Sequence, residues 1–274
     1  MFGVRRGGVA SIAPSVDLPL IDGDEFIVMA NQRTDVGFVP ASFGATEHAD
    51  WRALQPAGPV KSHVLILGWN DLGNRVLQIL DRSLATDSMV QVVTPSRGEQ
   101  AAPWASLQRI TASHIDGEIT DAALLERILG DESVTRILVL SGSLSNDSRN
   151  RDADALLAVL ELRHLLADRP DVHVTVEIGD PVNVDLIRTD AREEFIVGER
   201  LVCLLMSQMS QTFGVLDVLG SLMSEDESDI VIVSADAVLA GAEAMSGLDA
   251  AAKLRAADQY LVGAEIDYKD GLEG

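Results

Sequence analysis

The stretch KSHVLILGWNDLGNRVLQILD, residues 61–81, decides the fold of this chain. A short apolar run at residues 64–67 stops at Gly68, and Gly73 follows five residues later. Apolar side chains then recur at the three- and four-residue spacing of one helix face. An apolar strand, a glycine turn and an amphipathic helix in this order predict the strand–turn–helix that opens a Rossmann-type βαβ unit.

The glycine pattern of this turn departs from G-x-G-x-x-G at its second glycine, where the chain has Asn70 beside the bulky Trp69. That glycine normally lets the backbone approach a pyrophosphate. The second strand ends at Thr94, where an NAD site expects Asp or Glu to bind the ribose hydroxyls. We therefore predict that NAD(H) binds weakly or not at all and that the chain has no dehydrogenase activity.

Two interpretations of the turn itself stay open. Gly68, Asn70 and Gly73 precede or begin a helix, whose N-terminus carries a partial positive charge and favours anions. The turn then binds a nucleotide or another anion, or it is a relict that keeps its glycines for geometry alone.

The rest of the chain continues the alternation of apolar strands and helices. The predicted strands are 64–67, 89–93, 108–112, 136–140, 172–178 and 195–197. The predicted helices are 72–82, 122–129, 153–167 and a short one ending at 188. Thr120 or Asp121 is the expected N-cap of the second helix. Continuous apolar strands between helices predict a doubly wound parallel sheet covered on both faces.

The composition limits the partners. Asp and Glu total 43 and Lys and Arg 21, which gives a formal charge of −22 over 274 residues. This charge argues against nucleic acid and against an anionic membrane surface, since both need basic groups. Residues 201–223 are the longest weakly charged stretch, but they are too polar to span lipid, so we expect no membrane insertion. Cys203 is the only cysteine, which fits a reducing cytosol.

The pattern changes on both sides of the Rossmann unit. Residues 1–59 read as short strands and turns, including a strand at 26–29, and end in a linker at 41–59. Residues 199–223 predict one long helix or a pair of helices with a break at Gly214. The remainder reads as a small α+β tail with an acidic turn at 224–229, a strand at 230–233 and a helix followed by a strand at 249–264.

The chain resembles the cytosolic regulatory region of Castor- and Pollux-type ion channels, in particular their bacterial relatives, within the class that carries RCK domains related to TrkA. The runs that match this family, in their order, are HVLILGW with VLQILD, DADALLAVLELRHLL, VTVEIGDPVNVDLI, FIVGERLVCLLMSQMSQTFGVLDVLGSLM and MSGLDAAAKLRAADQYLVGAEI. The run SIAPSVDLPLIDGDEFIVMAN resembles the closing hairpin of an RCK C-lobe. The resemblance covers about four-fifths of the chain.

The resemblance implies three parts. Residues 1–58 are the end of a preceding C-lobe plus a linker, residues 59–198 are the RCK N-lobe, and residues 199–274 are the crossover helices and a partial C-lobe. It implies a ligand-sensing gating-ring domain of a cation or potassium channel or transporter. It also implies a homodimer or larger ring through Glu199 to Met223, and a membrane pore domain on the same or another chain. The expected location is the cytoplasm at the inner face of the membrane.

Other functions stay open from the sequence. The first alternative is an NAD(P)-binding oxidoreductase-like protein, and the second is a soluble Trk-type subunit of potassium uptake. We expect no enzyme, because the histidines are scattered and neither G-x-S-x-G nor H-E-x-x-H occurs. Cys203 is expected to pack as a small hydrophobe.

Any ligand is expected over the carboxyl ends of the strands, near Gly68, Asn70, Thr94 and the loop at Gly117 and Glu118, because open parallel sheets bind ligands at that edge. Its identity is unknown; nucleotides and Ca²⁺ are the open candidates.

Acidic residues occur in three places where the sequence offers a choice of role. His114, Asp116, Glu118 and Asp121 cluster after the third strand and either hold a cation or form a solvated loop with a helix cap, the latter being the interpretation we adopt. The same interpretation applies to the acidic turn at 224–229. Asp152 and Asp154 are predicted to be first-turn acids that favour the dipole of the following helix.

Overall fold

In the computed structural model, the described residues are 3–7, 9–12, 19, 21, 25–27, 61–95, 107–141, 148–184, 186, 192–222, 247–256 and 259–262. The chain forms two compact units. One comprises residues 57–208, and the other combines residues 1–56 with residues 209–274. The three-part division implied by the family resemblance stays a prediction.

The unit of residues 57–208 is built on a six-stranded parallel sheet. In chain order the strands are β4 (His63–Leu67), β5 (Ser88–Thr94), β6 (Ile110–Asp116), β7 (Val134–Val139), β8 (His173–Ile178) and β9 (Glu193–Val197). Their spatial order is β6-β5-β4-β7-β8-β9, and every neighbouring pair runs parallel. This is the doubly wound Rossmann order with its reversal between β4 and β7, and it confirms the predicted fold class.

Helices cover both faces of the sheet. They are α1 (Gly73–Ser83), α2 (Ala122–Leu129), α3 (Ser148–Leu165) and the short α4 (Pro181–Val184). The alternation of β4 decides which helix meets which face, because successive strand side chains point to opposite sides. Val64 and Ile66 pack with Leu77 of α1, whereas Leu65 and Leu67 belong to the core formed with α2 and α3.

Three element boundaries differ from the prediction, and two of them change the element to which a candidate residue belongs. Strand β6 ends at Asp116, so His114 and Asp116 lie in the strand and not in the predicted loop. The strand extends this far because all seven residues of β5 pair with it. Helix α3 begins at Ser148, five residues earlier than predicted, which places Asp152 beyond its first turn. The short helix after β8 ends at Val184.

Two helices follow the last strand directly. They are α5 (Gly198–Gln211) and α6 (Val215–Leu222), and the predicted break lies at Gly214, whose φ is +88°. That φ lies in the left-handed region that favours glycine, so the helix cannot continue through this residue at low cost. None of the described helices is long and apolar enough to cross a membrane.

The second unit contains a small antiparallel sheet. Strands β1 (Gly3–Arg6), β2 (Val9–Ile12) and β3 (Glu25–Ile27) are arranged as β2-β1-β3, and α6 packs against β2. Arg5 lies 3.6 Å from Asp217 and over the ring of Phe213. The unit also contains α7 (Gly247–Ala256), after which residues 259–262 are irregular where a strand was predicted. The predicted linker at 41–59, acidic turn at 224–229 and strand at 230–233 lie outside the described residues.

Candidate functional site

The predicted site residues meet at the carboxyl edge of the sheet, around the reversal between β4 and β7. Gly68 follows β4 and donates its N–H to the carbonyl of Val93 in β5, at 2.9 Å. A Cβ at Gly68 would lie 4.0 Å from the side chain of Ile119, in the turn after β6. The ends of β4, β5 and β6 therefore lie close together, as the topology predicts.

Gly68 is required by its surroundings. Its φ is +84°, and a Cβ there would lie only 2.6 Å from the carbonyl oxygen of Leu140, at the end of β7. Any other residue would strain the backbone and push β4 away from β7. The glycine therefore closes the turn against the neighbouring strand.

Gly73 is required by Trp69. The half-buried indole of Trp69 lies against the first residue of α1, and a Cβ at Gly73 would come within 2.7 to 2.8 Å of three ring carbons. Trp69 thus packs over the start of the helix.

Asn70 connects three strand ends across the reversal. Its Nδ2 donates to the carbonyl oxygen of Ser141 after β7, at 2.9 Å, and to Oε2 of Glu177 in β8, at 2.7 Å. The same Glu177 oxygen accepts from the N–H of Ser141 at 3.2 Å. We call this set of contacts between Asn70, Ser141 and Glu177 the switch-point bridge.

The contacts of the switch-point bridge were not predicted from the sequence. Ser141 and Glu177 are 71 and 107 residues from Asn70 in the chain. The only signal for them was their placement at the ends of predicted strands, since strand ends of a parallel sheet gather at one edge.

Asn70 also satisfies the N–H groups at the start of α1. Its Oδ1 accepts from the N–H of Leu72 at 3.0 Å, and its carbonyl oxygen accepts from the N–H of Gly73 at 3.0 Å. In a dinucleotide-binding turn, N–H groups at the helix N-terminus face the pyrophosphate. Here two of them already have partners within the turn.

Thr94 ends β5 in a buried position beside β6. The Thr94 carbonyl oxygen lies 2.9 Å from Nε2 of His114, so the imidazole of His114 in β6 contacts the backbone of β5. Asp116, the register partner of Thr94, is exposed.

Gly117 and Glu118 form the turn that leads into α2. A Cβ at Gly117 would overlap the side chain of Leu124, which explains the glycine. Glu118 is exposed, and its carbonyl oxygen accepts from the N–H of Asp121. Asp121 caps α2 by accepting from the N–H groups of Ala123 and Leu124, so the predicted N-cap is confirmed.

The cation interpretation of His114, Asp116, Glu118 and Asp121 finds no geometric support. Across the part of the chain that the structure describes, no three His, Cys, Asp or Glu side chains are placed to hold a metal ion. Glu118 belongs to the turn and Asp121 to the helix cap.

The prediction that Asp152 is a first-turn acid was wrong. Asp152 lies in the second turn of α3 and is 2% exposed. Its carboxylate accepts from the N–H groups of Gly179 and Asp180, both at 2.9 Å, and from Nδ2 of Asn183 at 2.7 Å. A buried carboxylate needs such donors. Asp152 therefore fixes the turn after β8, next to the strand that carries Glu177.

Cys203 also differs from the prediction. The sequence placed it as a packed small hydrophobe, but in α5 the residue is exposed as a free thiol. This holds for the whole of α5, which contains no buried residue.

No protein-family model matches the chain. No curated protein matches it significantly. Similar solved structures include the RCK domain of GsuK, with 16% identity, 56% of this chain covered and a TM-score of 0.39. A second is L-threonine dehydrogenase from Clostridium difficile, with 11% identity, 44% of this chain covered and a TM-score of 0.32. A third is the Bordetella bronchiseptica enzyme WbmG in complex with NAD, with 20% identity, 45% of this chain covered and a TM-score of 0.34.

The matched regions cover 29%, 37% and 39% of the GsuK, dehydrogenase and WbmG chains themselves. At these identities and TM-scores the similarities carry no argument about activity. The fold assignment rests on the strand order and on the strand–turn–helix at Gly68.

Proposed function

We propose that this chain is a non-catalytic, ligand-sensing regulatory domain of a cation or potassium channel or transporter, of the RCK gating-ring kind found in Castor- and Pollux-type channels. The observation that carries the proposal is α5, the helix that follows the Rossmann sheet. The resemblance of residues 195–223 to the RCK crossover helices supports it independently.

Helix α5 exposes apolar side chains around much of its surface. Leu204 is 54% and Met206 66% exposed, and Leu201 and Val202 are similarly accessible. Beyond the end of α5, Phe213 is 88% exposed. A helix of this kind on a soluble domain is normally covered by a partner, because contiguous apolar patches are costly in water. Pairing with a second copy, or with another RCK unit, through Glu199 to Met223 satisfies this requirement.

In such an assembly, sensing works through differential affinity. A ligand at the carboxyl edge of the sheet stabilises the arrangement of paired lobes to which it binds more tightly, and it shifts the population by that difference alone. The paired lobes then act on a pore domain on the same or another chain, at the inner face of the membrane.

The test of assembly is light scattering on the chain at high micromolar concentration. We expect at least a dimer, and we expect Leu204→Glu to give a folded monomer. The matched control is Ile79→Glu, on α1, where the side chain is 50% exposed. A wild-type monomer, or equal dissociation by both variants, contradicts the proposal.

The test of sensing is thermal unfolding with NADH, ATP, cyclic dinucleotides or Ca²⁺ added separately. A ligand that binds only the native state raises the midpoint, and the stabilisation grows with the logarithm of its concentration over Kd. A shift that is lost on substitution at the carboxyl edge supports the proposal, and no shift with any of the four contradicts a sensor for these ligands.

The alternative of an NAD(P)-binding oxidoreductase-like protein, in which the turn at Gly68 binds the dinucleotide, is favoured by one observation. The turn keeps glycine at 68 and 73, with the left-handed φ at Gly68. The partners that Asn70 already provides to Leu72 and Gly73 weigh against it. The second alternative, a soluble Trk-type subunit of potassium uptake, requires the same fold and pairing surface and is the case in which the pore domain is on a separate chain.

A further inference from the structure

We propose that Asn70 and Glu177 determine the specificity of the switch-point site by excluding ligands that carry a phosphate. The inference rests on the proposed ligand-sensing function at this edge of the sheet. It goes beyond that function by naming the chemical class that the site rejects and the two side chains that reject it.

Two backbone N–H donors at the start of α1 already have acceptors. A pyrophosphate is held at a Rossmann turn by backbone N–H groups that have no other partner. Here the N–H of Leu72 donates to Oδ1 of Asn70, and the N–H of Gly73 donates to the carbonyl oxygen of Asn70, both at 3.0 Å. A phosphate would have to break these contacts before it could use the donors.

The Asn70 side chain also occupies the space in which a ligand would lie. The Asn70 side chain crosses from the turn after β4 to the end of β7 and on to β8, through contacts of 2.9 and 2.7 Å. The crevice in which doubly wound sheets bind their ligands lies at this reversal of strand order. A glycine in place of Asn70 would leave that path open, and the asparagine amide fills it.

Glu177 places a negative charge at the same crevice. The Glu177 carboxylate is half-buried at the same crevice and receives Nδ2 of Asn70 and the N–H of Ser141. Like charges that share a partly buried site repel, because water screens them poorly there. Glu177 therefore opposes a phosphate and favours a ligand that presents a hydrogen-bond donor.

Trp69 plays a different part. Its indole packs against the start of α1 at Gly73, while Asn70 spans the crevice itself. We therefore expect Trp69→Ala alone to leave phosphate binding unchanged.

The experiment is calorimetric titration of the full chain with ADP and with NADH. We expect no saturable binding to the wild type at millimolar ligand, which sets a lower limit on its Kd. The double variant Asn70→Gly with Glu177→Gln should bind with a Kd at least about tenfold below that limit, about the ratio that one interaction of moderate strength gives. The control is Asp71→Asn, which removes one exposed negative charge beside the turn and leaves the switch-point bridge in place. Tight ADP binding by the wild type, no gain in the double variant, or an equal gain in the control overturns the proposal.

A second measurement decides the matter if the double variant fails to fold. Amide hydrogen exchange of the wild type should show protection at Leu72 and Ser141, and Glu177→Gln should speed exchange at Ser141. Exchange at Leu72 as fast as in an unstructured loop overturns the proposal.

These results are separate from the test of assembly. Loss of pairing through α5 would contradict the proposed function and leave the inference about Asn70 and Glu177 standing. A thermal shift with ATP or NADH that depends on the carboxyl edge would support sensing and overturn the inference.

Discussion

Helices α3 and α5 are both rich in apolar residues, and both follow a strand of the parallel sheet, yet they use those residues in opposite ways. In α3, four side chains lie against the sheet and are almost fully buried: Ala155, Ala158, Val159 and Leu162. In α5 no residue is buried. Apolar content alone therefore does not decide whether a helix is buried, because α3 packs on the sheet and α5 does not.

The largest expected effect comes from the ion pair that holds α3 to β9. Arg163 makes a two-point contact with the buried carboxylate of Glu193, with Nε and Nη2 at 2.7 and 2.6 Å from its oxygens. Arg163→Met removes the two-point ion pair of the buried Glu193 carboxylate and should cost about 3–5 kcal/mol of unfolding free energy. Urea denaturation measures the loss. The control is Arg200→Met on exposed α5, expected to stay within about 0.5 kcal/mol; equal losses would remove the contrast between the helices.

The next effect is a direct comparison of one truncation at two sites. Leu162→Ala in α3 removes a side chain that is 1% exposed and should cost about 2–5 kcal/mol, since it leaves a cavity in the core. Leu204→Ala in α5 removes a side chain that is half exposed and should change the stability of the monomeric chain by less than about 0.5 kcal/mol.

The Leu204 measurement is made at a concentration at which the wild type is monomeric. A large loss on Leu204→Ala under that condition would show that α5 packs within its own subunit.

A third prediction tests the polar contact that α3 makes with the turn after β8. Asp152→Asn replaces one accepting oxygen by an amide donor that faces the donors of Asp180 and Asn183. The expected cost is about 1–3 kcal/mol. Asp154→Asn, an exposed change two residues along the same helix, is the control. Thermal unfolding of both variants measures the difference, and similar midpoints would show that Asp152 does not hold this turn.

The smallest expected effect depends on pH and concerns α1. Burial alone would raise the pKa of Asp81, but hydrogen bonds from the N–H groups of Gln108, Arg109 and Ile110 outweigh it and lower the pKa. A lowered folded pKa gives stability that is present above the unfolded pKa and lost as the pH falls through the folded one.

Asp81→Asn should therefore cost about 1 kcal/mol at pH 7, because the carboxylate is partly solvated. The difference from wild type should shrink below about pH 4, near the ordinary carboxyl value. Denaturation at several pH values measures it. A difference that stays constant down to pH 2 would show that the charge of Asp81 contributes nothing.

Most of the fold follows from local pattern. The strands β4, β5, β7, β8 and β9 were predicted because short apolar runs between turns and helices are typical of a parallel sheet. Strand β6 extends beyond its prediction because its pairing with β5 continues through Asp116. Of residues 113–116 only Ile115 is apolar, and it packs partly buried against the core, so this half of the edge strand has little apolar signal in the sequence.

The residues of the turn after β4 could be predicted from the sequence, but their partners on other elements could not. Gly68, Trp69, Asn70 and Gly73 lie within six residues of one another, and the spacing of the two glycines indicates a phosphate-type turn. Glu177, Ser141 and Asp152 act through contacts between elements far apart in the chain. Asp152 was assigned to the helix dipole because a helix start predicted at Ala153 placed it there, whereas the true start lies five residues earlier.

The indole of Trp69 gives the molecule a built-in optical reporter at the carboxyl edge. The chain has three tryptophans, and Trp51 and Trp104 lie outside the described residues. Trp69 lies against the start of α1 in a half-buried position, so a change in its exposure to water shifts its emission wavelength. The difference in fluorescence between the wild type and Trp69→Phe isolates this one ring. Occupancy of the edge can then be followed without any label, in the same sample used for light scattering.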